Sequence, residues 1–141
     1  MGQKQSVQKI SFEDIAYLKK YKKYYLLNTL DANQQGCLIS GTLSITSEVE
    51  IINKAQKNPD IYIIVYGKNI NDESMYKKYT QLLGLGFINV FIYPGGMFEW
   101  LCLQDIYGKI EFPTTSDELD ILKYKPTRRL FDTFLLQDKI N

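Results

Sequence analysis

The stretch Ile61-Tyr62-Ile63-Ile64-Val65-Tyr66 decides the fold class, because it is an unbroken run of β-branched and aromatic residues. Such a run is typical of a parallel strand that is buried on both faces of a sheet. A second run of this kind lies at residues 89–93, and residues 74–83 between the two runs repeat apolar residues at helical spacing. Strand, helix and strand in this order predict a βαβ unit with a right-handed crossover, and therefore an α/β fold with a central parallel sheet.

The alternation continues on both sides of this unit. Towards the N-terminus, Ser11 is placed to cap a helix, and residues 24–27 form another short buried run. Residues 43–45 are predicted to be extended, and a helix capped by Ser47 is predicted to follow them. Towards the C-terminus, a Pro-Gly-Gly turn predicts the start of a helix over residues 97–107.

The composition of the chain excludes several classes of function. The 141 residues, of which 45% are apolar, suit a single packed domain. The 17 basic and 16 acidic residues nearly cancel, so we expect no nucleic-acid partner. Histidine is absent, which excludes catalytic Cys–His and Ser–His–Asp arrangements as well as histidine-rich zinc sites.

The chain has two cysteines, Cys37 and Cys102, which are too few for a four-cysteine metal site. Both lie beside apolar residues, so we interpret them as reduced core thiols of a cytoplasmic protein. We therefore expect neither a metal ion nor another cofactor. No apolar run is long enough to predict a membrane-spanning helix, and the N-terminus lacks the apolar segment of a secretory signal.

Three segments, taken in order, resemble the rhodanese family over about residues 11–108. Residues 26–30 resemble the strand at which the family has an Asp and an Arg, and residues 37–42 resemble its Gly-His-Ile-x-Gly-Ala segment. The most specific match is Gly-Phe-x-Asn-Val at residues 86–90, followed by Gly-Gly-x-x-x-Trp at residues 95–100. The resemblance implies a three-layer sandwich, in which helices cover both faces of a central parallel sheet of about five strands.

The positions that differ from the family carry the functional expectation. Gly67 stands directly after the central strand, where the family has its nucleophilic cysteine. The loop that follows is one residue longer than a sulfurtransferase loop and similar in length to that of the related dual-specificity phosphatases. In that register Glu73 takes the place of an arginine, and Asn28, Leu30 and Leu38 replace the Asp, Arg and His of the other two motifs. The degenerate loop comprises Gly67, Lys68, Asn69, Ile70, Asn71, Asp72, Glu73 and Ser74.

The resemblance therefore implies a pseudoenzyme with no catalytic residues. A persulfide intermediate needs a sulfur atom at position 67, and glycine has no side chain. The loop's N–H groups could still form an anion-binding nest, but Asp72 and Glu73 are expected to repel an anionic substrate. We expect a binding or scaffold role in a protein complex. The alternative is a sulfurtransferase or phosphatase-like enzyme with a non-standard nucleophile, for which Cys37 and Cys102 are the available thiols.

The first six residues match the N-myristoylation pattern, with Gly2 exposed after removal of the methionine and a serine at position 6. An acyl group on Gly2, assisted by the lysines at positions 19, 20, 22 and 23, would give peripheral contact with a membrane. A chance match in a disordered terminus is the alternative. A third hypothesis is that the lipid anchor is the main role of the protein.

The resemblance ends at Gly108, which divides the chain into a flexible N-terminus (residues 1–10), a rhodanese-like domain (residues 11–108) and a C-terminal extension (residues 109–141). In the extension, Ser116 is placed to cap a short helix. A further helix is predicted after residue 126, with an apolar face that either folds back on the domain or docks on a protein partner of unknown identity. The predicted docking residues are Arg128, Arg129, Leu130, Phe131 and Phe134.

Overall fold

The computed structural model of the chain describes residues 6–21 and 23–140. Within these residues three strands alternate with helices, as the sequence predicts. The strands are β1 (Tyr24–Asn28), β2 (Tyr62–Tyr66) and β3 (Asn89–Tyr93). The helices are α1 (Phe12–Tyr21), α2 (Ile45–Ala55), α3 (Glu73–Gly84), α4 (Gly96–Tyr107) and α5 (Leu130–Ile140), and short 3-10 helices lie at Ala32–Gln34 and Ile121–Tyr124.

The sheet places β2 at its centre, between β1 and β3, and the three strands are parallel. Isolated parallel bridges extend the sheet by one position at each edge, where Lys9 pairs with Ile92 and Thr42 pairs with Leu26. In the part of the chain that the structure describes, the sheet therefore has three strands and these two parallel bridges, where about five strands were expected. A third isolated bridge, which is antiparallel, joins Ile39 to Thr114. The edge segments stay too short to form strands because α1 and α2 begin soon after the bridges.

The side chains of β2 alternate between two apolar cores, one on each face of the sheet. Ile64 and Tyr66 belong to the core that contains residues of α1 and α4. Ile63 and Val65 belong to the core that contains residues of α2 and α3. All four side chains are 0% exposed, which confirms the prediction of a strand buried on both faces. The three-layer α/β arrangement is confirmed as well.

The hydroxyl of Tyr66 ties the central strand to the edge of the sheet. It accepts a hydrogen bond from the N–H of Ile39 at 3.1 Å and shares another with the hydroxyl of Thr42 at 2.7 Å. Burial raises the pKa of Tyr66, so the phenol stays protonated. The hydroxyl of Tyr66 therefore has hydrogen-bond partners inside the core, as buried polar groups require.

Two predicted helix caps are wrong. Ser44, not Ser47, caps α2, because its side chain accepts a hydrogen bond from the N–H of Thr46. Ser44 is the last residue with an extended backbone, so the predicted extended segment 43–45 ends one residue early and Ser47 lies inside the helix. Ser116 caps no helix either, since its hydroxyl donates to the carbonyl of Gly36 at 2.7 Å.

Residues that follow α4 complete the core on the α1 and α4 face. Phe112 and Tyr124 are buried there. The indole N–H of Trp100 donates to the carbonyl of Pro113 at 3.1 Å, and the side chain of Gln104 donates to the carbonyl of Phe112 at 2.8 Å. The predicted C-terminal extension is therefore anchored to the domain through Phe112, Pro113 and Tyr124.

Helix α5 presents apolar side chains to solvent. Leu130, Phe131 and Phe134 are 68%, 52% and 51% exposed. The hypothesis that this face folds back on the domain is therefore wrong. Among the described residues, no helix is long and apolar enough to cross a membrane. Gly2 and Lys22, which carry the acylation hypothesis, lie outside the described residues.

We expect the change Tyr66→Phe to lower the free energy of unfolding by about 1–3 kcal/mol, because it leaves the buried N–H of Ile39 without an acceptor. The matched change Tyr62→Phe removes a hydroxyl that has no hydrogen-bond partner among the described residues, and we expect an effect below about 0.5 kcal/mol. Urea unfolding followed by circular dichroism measures both variants. Equal losses in the two variants would contradict the role assigned to the Tyr66 hydroxyl.

Candidate functional site

The loop between β2 and α3, residues 67–72, lies at the edge of the sheet where the parallel strands end. This is the edge at which open α/β sheets bind their ligands. Thr29, which follows β1, lies on one side of the loop, and the Gly95-Gly96 turn, which follows β3, lies on the other. The structure therefore places the predicted degenerate loop at the centre of the ligand-binding edge of the fold.

The carboxylate of Asp72 folds back into this loop and is surrounded by hydrogen-bond donors. One of its oxygens, Oδ2, accepts from the N–H of Lys68 at 2.9 Å and from the hydroxyl of Thr29 at 3.3 Å. The other, Oδ1, accepts from the N–H of Ser74 at 3.0 Å and from the hydroxyl of Ser74 at 2.5 Å. Asp72 is also the N-cap of α3, where a negative charge is stabilised by the helix dipole. The chain thus supplies its own anion to the loop.

Gly67 lies directly beneath this carboxylate. A Cβ atom at position 67 would lie 2.2 Å from Oδ2 of Asp72 and 2.9 Å from the hydroxyl oxygen of Thr29. Both distances are far shorter than a van der Waals contact. A side chain at position 67 would therefore displace the carboxylate from its donors, so the space next to the central strand is taken by Asp72.

The N-terminus of α4 is used by the loop as well. The N–H groups of Met97 and Phe98 donate to the carbonyls of Gly67 and Lys68 at 2.9 and 3.0 Å. Gly96, with a φ of 61°, allows this approach, since a Cβ there would lie 2.5 Å from the carbonyl oxygen of Gly67. The donors that a helix N-terminus offers to an anion are here bonded to the protein's own backbone.

Asn69 joins the loop to the C-terminal part of the chain. Its side chain is buried, donates to the carbonyl of Tyr124 at 2.9 Å and accepts from the N–H of Asn71 at 2.9 Å. Tyr124 is itself 1% exposed. The sequence names Asn69 as a loop residue but carries no signal for this contact, because the two partners are 55 residues apart.

A polar cleft of about 310 Å³ opens above the loop. Its charged lining residues are the acids Asp31, Asp72 and Glu73 and the bases Lys68 and Arg129. One predicted docking residue, Arg129, is thus brought to the loop, whereas Leu130, Phe131 and Phe134 do not line this cleft. The acids leave the cleft without the excess of positive charge that a small anionic substrate needs.

The other family positions that differ make structural contacts. Asn28 is buried and pairs with the side-chain amide of Gln35, and its oxygen also accepts from the N–H of Leu30 at 3.0 Å. Leu30 and Leu38 are buried in the core on the α1 and α4 face. Asn28, Leu30 and Leu38 therefore stabilise the fold next to the polar cleft, and none of them places a charge in it.

Neither cysteine lines the polar cleft. Cys37 is buried and its thiol donates to the carbonyl of Ser116 at 3.3 Å. Cys102 is partly exposed on α4, and burial, together with the nearby carboxylates of Asp105 and Glu99, raises the pKa of its thiol. In the part of the chain that the structure describes, no three His, Cys, Asp or Glu side chains are grouped so that they could hold a metal ion.

Comparison with known proteins identifies the family and the fold. The family model of the rhodanese-like domain matches residues 14–102, and the chain belongs to that family. The search of curated proteins found no match. The relatives among solved structures share the fold at low identity, and three of them illustrate its range.

The rhodanese-like domain of an Anabaena protein is 19% identical, with 88% of each chain covered and a TM-score of 0.55. A yeast protein tyrosine phosphatase of the rhodanese family is 12% identical, with 84% of this chain and 99% of that chain covered and a TM-score of 0.60. The As-Sb reductase from Leishmania major is 14% identical, with 74% of this chain and 81% of that chain covered and a TM-score of 0.53.

We expect the change Asp72→Ala to lower the free energy of unfolding by about 1–2 kcal/mol, because α3 loses its N-cap. The neighbouring change Glu73→Ala removes an exposed carboxylate with the same charge, and we expect an effect below about 0.5 kcal/mol. Thermal and urea unfolding measure both variants. If the two variants are equally stable, the Asp72 carboxylate does not hold the loop.

The thiol of Cys102 should react with iodoacetamide more slowly than free cysteine at pH 7, because its raised pKa leaves less thiolate. The rate should rise as the pH is increased through the thiol pKa, and Asp105→Asn should raise the rate at neutral pH by removing one nearby negative charge. Mass spectrometry of the alkylated peptides measures the rate. A Cys102 that reacts faster than free cysteine at pH 7 would favour the enzyme alternative.

Proposed function

We propose that this member of the rhodanese-like family is a non-catalytic module that binds a protein partner or serves as a subunit of a larger assembly. The observation that carries the proposal is the carboxylate of Asp72, which accepts hydrogen bonds from the loop N–H groups of Lys68 and Ser74. Those N–H groups are the ones that an anionic substrate or oxyanion would need.

The chemistry at position 67 supports the same conclusion. Sulfur transfer through a persulfide, like phosphoryl transfer through a thiolate, needs a nucleophilic atom beside the central strand. Gly67 supplies none, and the carboxylate of Asp72 occupies the space into which a side chain would extend. A thiosulfate or phosphate that entered the polar cleft would meet this carboxylate and that of Glu73 at close range.

A binding role is supported by the exposed face of α5. Four apolar side chains lie on one face of this helix: Leu130, Phe131, Phe134 and Leu135. A face of this kind, without cover from its own domain, is typical of a surface that another protein covers. Arg128 is part of the same segment, since its guanidinium lies 4.8 Å from the ring centroid of Phe131.

The enzyme alternative draws on the activities for which two structural relatives are named, a protein tyrosine phosphatase and an As-Sb reductase. These proteins indicate that the fold accommodates several reactions. For this chain the alternative requires Cys37 or Cys102 as the nucleophile, and neither thiol lines the polar cleft. We therefore use the relatives to choose substrates for the test and not to assign an activity.

The test compares the wild-type protein with two variants in thiosulfate:cyanide sulfurtransferase and aryl phosphatase assays. We expect the wild type to be inactive. Gly67→Cys should form less persulfide than a variant without this carboxylate, because its side chain has to displace Asp72 from its donors. The double variant Gly67→Cys with Asp72→Gly frees that space, and we expect it to gain the mass of one sulfur atom after incubation with thiosulfate.

Gly36→Cys is the matched control, because a Cβ at this exposed glycine meets no atom within 4 Å. It adds a thiol outside the loop and should form no stable persulfide. Turnover by the wild type that is lost on changing Cys37 or Cys102 to serine would overturn the proposal. A persulfide on the single variant Gly67→Cys, equal to that of the double variant, would show that Asp72 does not occupy the site.

A further inference from the structure

An apolar cleft of about 610 Å³ lies on the side of the loop opposite to the polar cleft. Its apolar lining residues include Ile10, Phe12, Ile70, Pro94, Phe98 and Pro126, and Cys102 lines it as well. Ile70 is 57% exposed although it belongs to a loop whose other contacts are polar. Among the described residues, the apolar cleft and the face of α5 formed by residues 130, 131, 134 and 135 are both uncovered apolar surfaces.

The path of the chain keeps these two surfaces apart within one molecule. Pro126 lines the apolar cleft, on the side of the loop that carries residues following β3. Thr127 and Arg129 line the polar cleft, on the side that carries residues following β1. Because β2 separates β1 from β3 in the sheet, the chain crosses the loop just before α5 begins at Leu130. The helix starts on the far side of the loop from its own apolar cleft.

The charges of α5 argue against a membrane as the occupant. Membrane-surface helices carry lysine and arginine on their polar face. Here the polar positions of α5 include Asp132 and Asp138, and the guanidinium of Arg128 is already paired with Asp132 at 2.9 Å. Arg129 lies among the acids of the polar cleft. The apolar face therefore suits an apolar protein surface better than an anionic bilayer.

We propose that the apolar face of α5 docks in the apolar cleft of a second copy of this chain, and that the second copy returns the same contact. Such a reciprocal exchange around a twofold axis closes into a dimer, because each chain supplies both a helix and a cleft. The inference rests on the proposed function, since it names the partner of the same helix.

The buried area reaches the lower limit for a specific dimer. At about 100 Å² for each half-exposed Leu or Phe, the four side chains of one α5 present roughly 400 Å². The surface that each cleft exposes is smaller than this helix face, so two helices and two clefts would bury about 1,000 Å² in total. Phe131 and Phe134 supply the aromatic anchors that carry most of the affinity in such interfaces.

Sedimentation velocity over about 1–100 µM, a range chosen for an interface of this size, measures the association of the full chain. We expect a dimer whose dissociation constant is at least about tenfold weaker in Phe134→Asp and in Ile70→Asp, because each change places a charge in the contact. The matched controls are Leu136→Asp, on the other face of α5, and Ile110→Asp, at a residue that is 97% exposed and part of neither surface. Both controls should dimerise like the wild type.

Mixing the two defective variants tests the reciprocity of the contact. Phe134→Asp keeps an intact cleft and Ile70→Asp keeps an intact α5, so a mixed pair has one sound contact where each variant alone has none. We expect heterodimers in the mixture, detected by native mass spectrometry, at concentrations where each variant alone is monomeric. A dimer that survives both substitutions uses another surface and overturns the inference.

A wild type that stays monomeric throughout also overturns the inference, and so does a monomer that binds phosphatidylcholine–phosphatidylserine vesicles through Phe134. These outcomes do not affect the proposed function, because the enzyme and persulfide assays test it independently of the oligomeric state. Conversely, an active wild-type enzyme that dimerises as described would refute the proposed function and keep the dimer.

Discussion

The carboxylate of Asp72 within its ring of donors is the interaction on which the loop and its function depend. A loop between a parallel strand and a helix ordinarily presents free N–H groups to a bound anion. In this chain the N–H groups of Lys68 and Ser74 and the hydroxyls of Thr29 and Ser74 converge on a side chain two residues before Ser74. An anion held by the covalent chain has no binding entropy to lose, so a dissolved anion competes with it at a disadvantage.

Two glycines make this closure of the loop possible. The absence of a side chain at Gly67 leaves room for the carboxylate, and the φ of 61° at Gly96 brings the N-terminus of α4 onto the carbonyls of the loop. Asn69 then fastens the loop to the carbonyl of Tyr124. The conformation of the loop is therefore held at three places, by Asp72, by the N-terminus of α4 and by Asn69.

The sequence is sufficient to predict the layers of this fold but not the closure of its site. Burial of β2 on both faces requires a continuous apolar run, and that run is visible in the amino-acid order. Asp72 was expected only as a repelling charge, because the bend that returns its carboxylate to Lys68 leaves no periodic signal. Sequence patterns do not predict the contact of Asn69 with Tyr124 or the apolar cleft beside Ile70, because both join residues that are distant in sequence. The position of the α2 cap depends on the backbone angle at which the extended segment ends, so the sequence does not distinguish Ser44 from Ser47.

The account is tested most directly by isothermal titration calorimetry of thiosulfate into the wild-type protein and into the variant Asp72→Ala. If the carboxylate of Asp72 holds the donors of the loop, the wild type should give no binding heat and the variant should bind thiosulfate at a site made by the same N–H groups. Binding of thiosulfate to the wild type with the same affinity as to the variant would contradict the account, because the donors would then be free in the native protein.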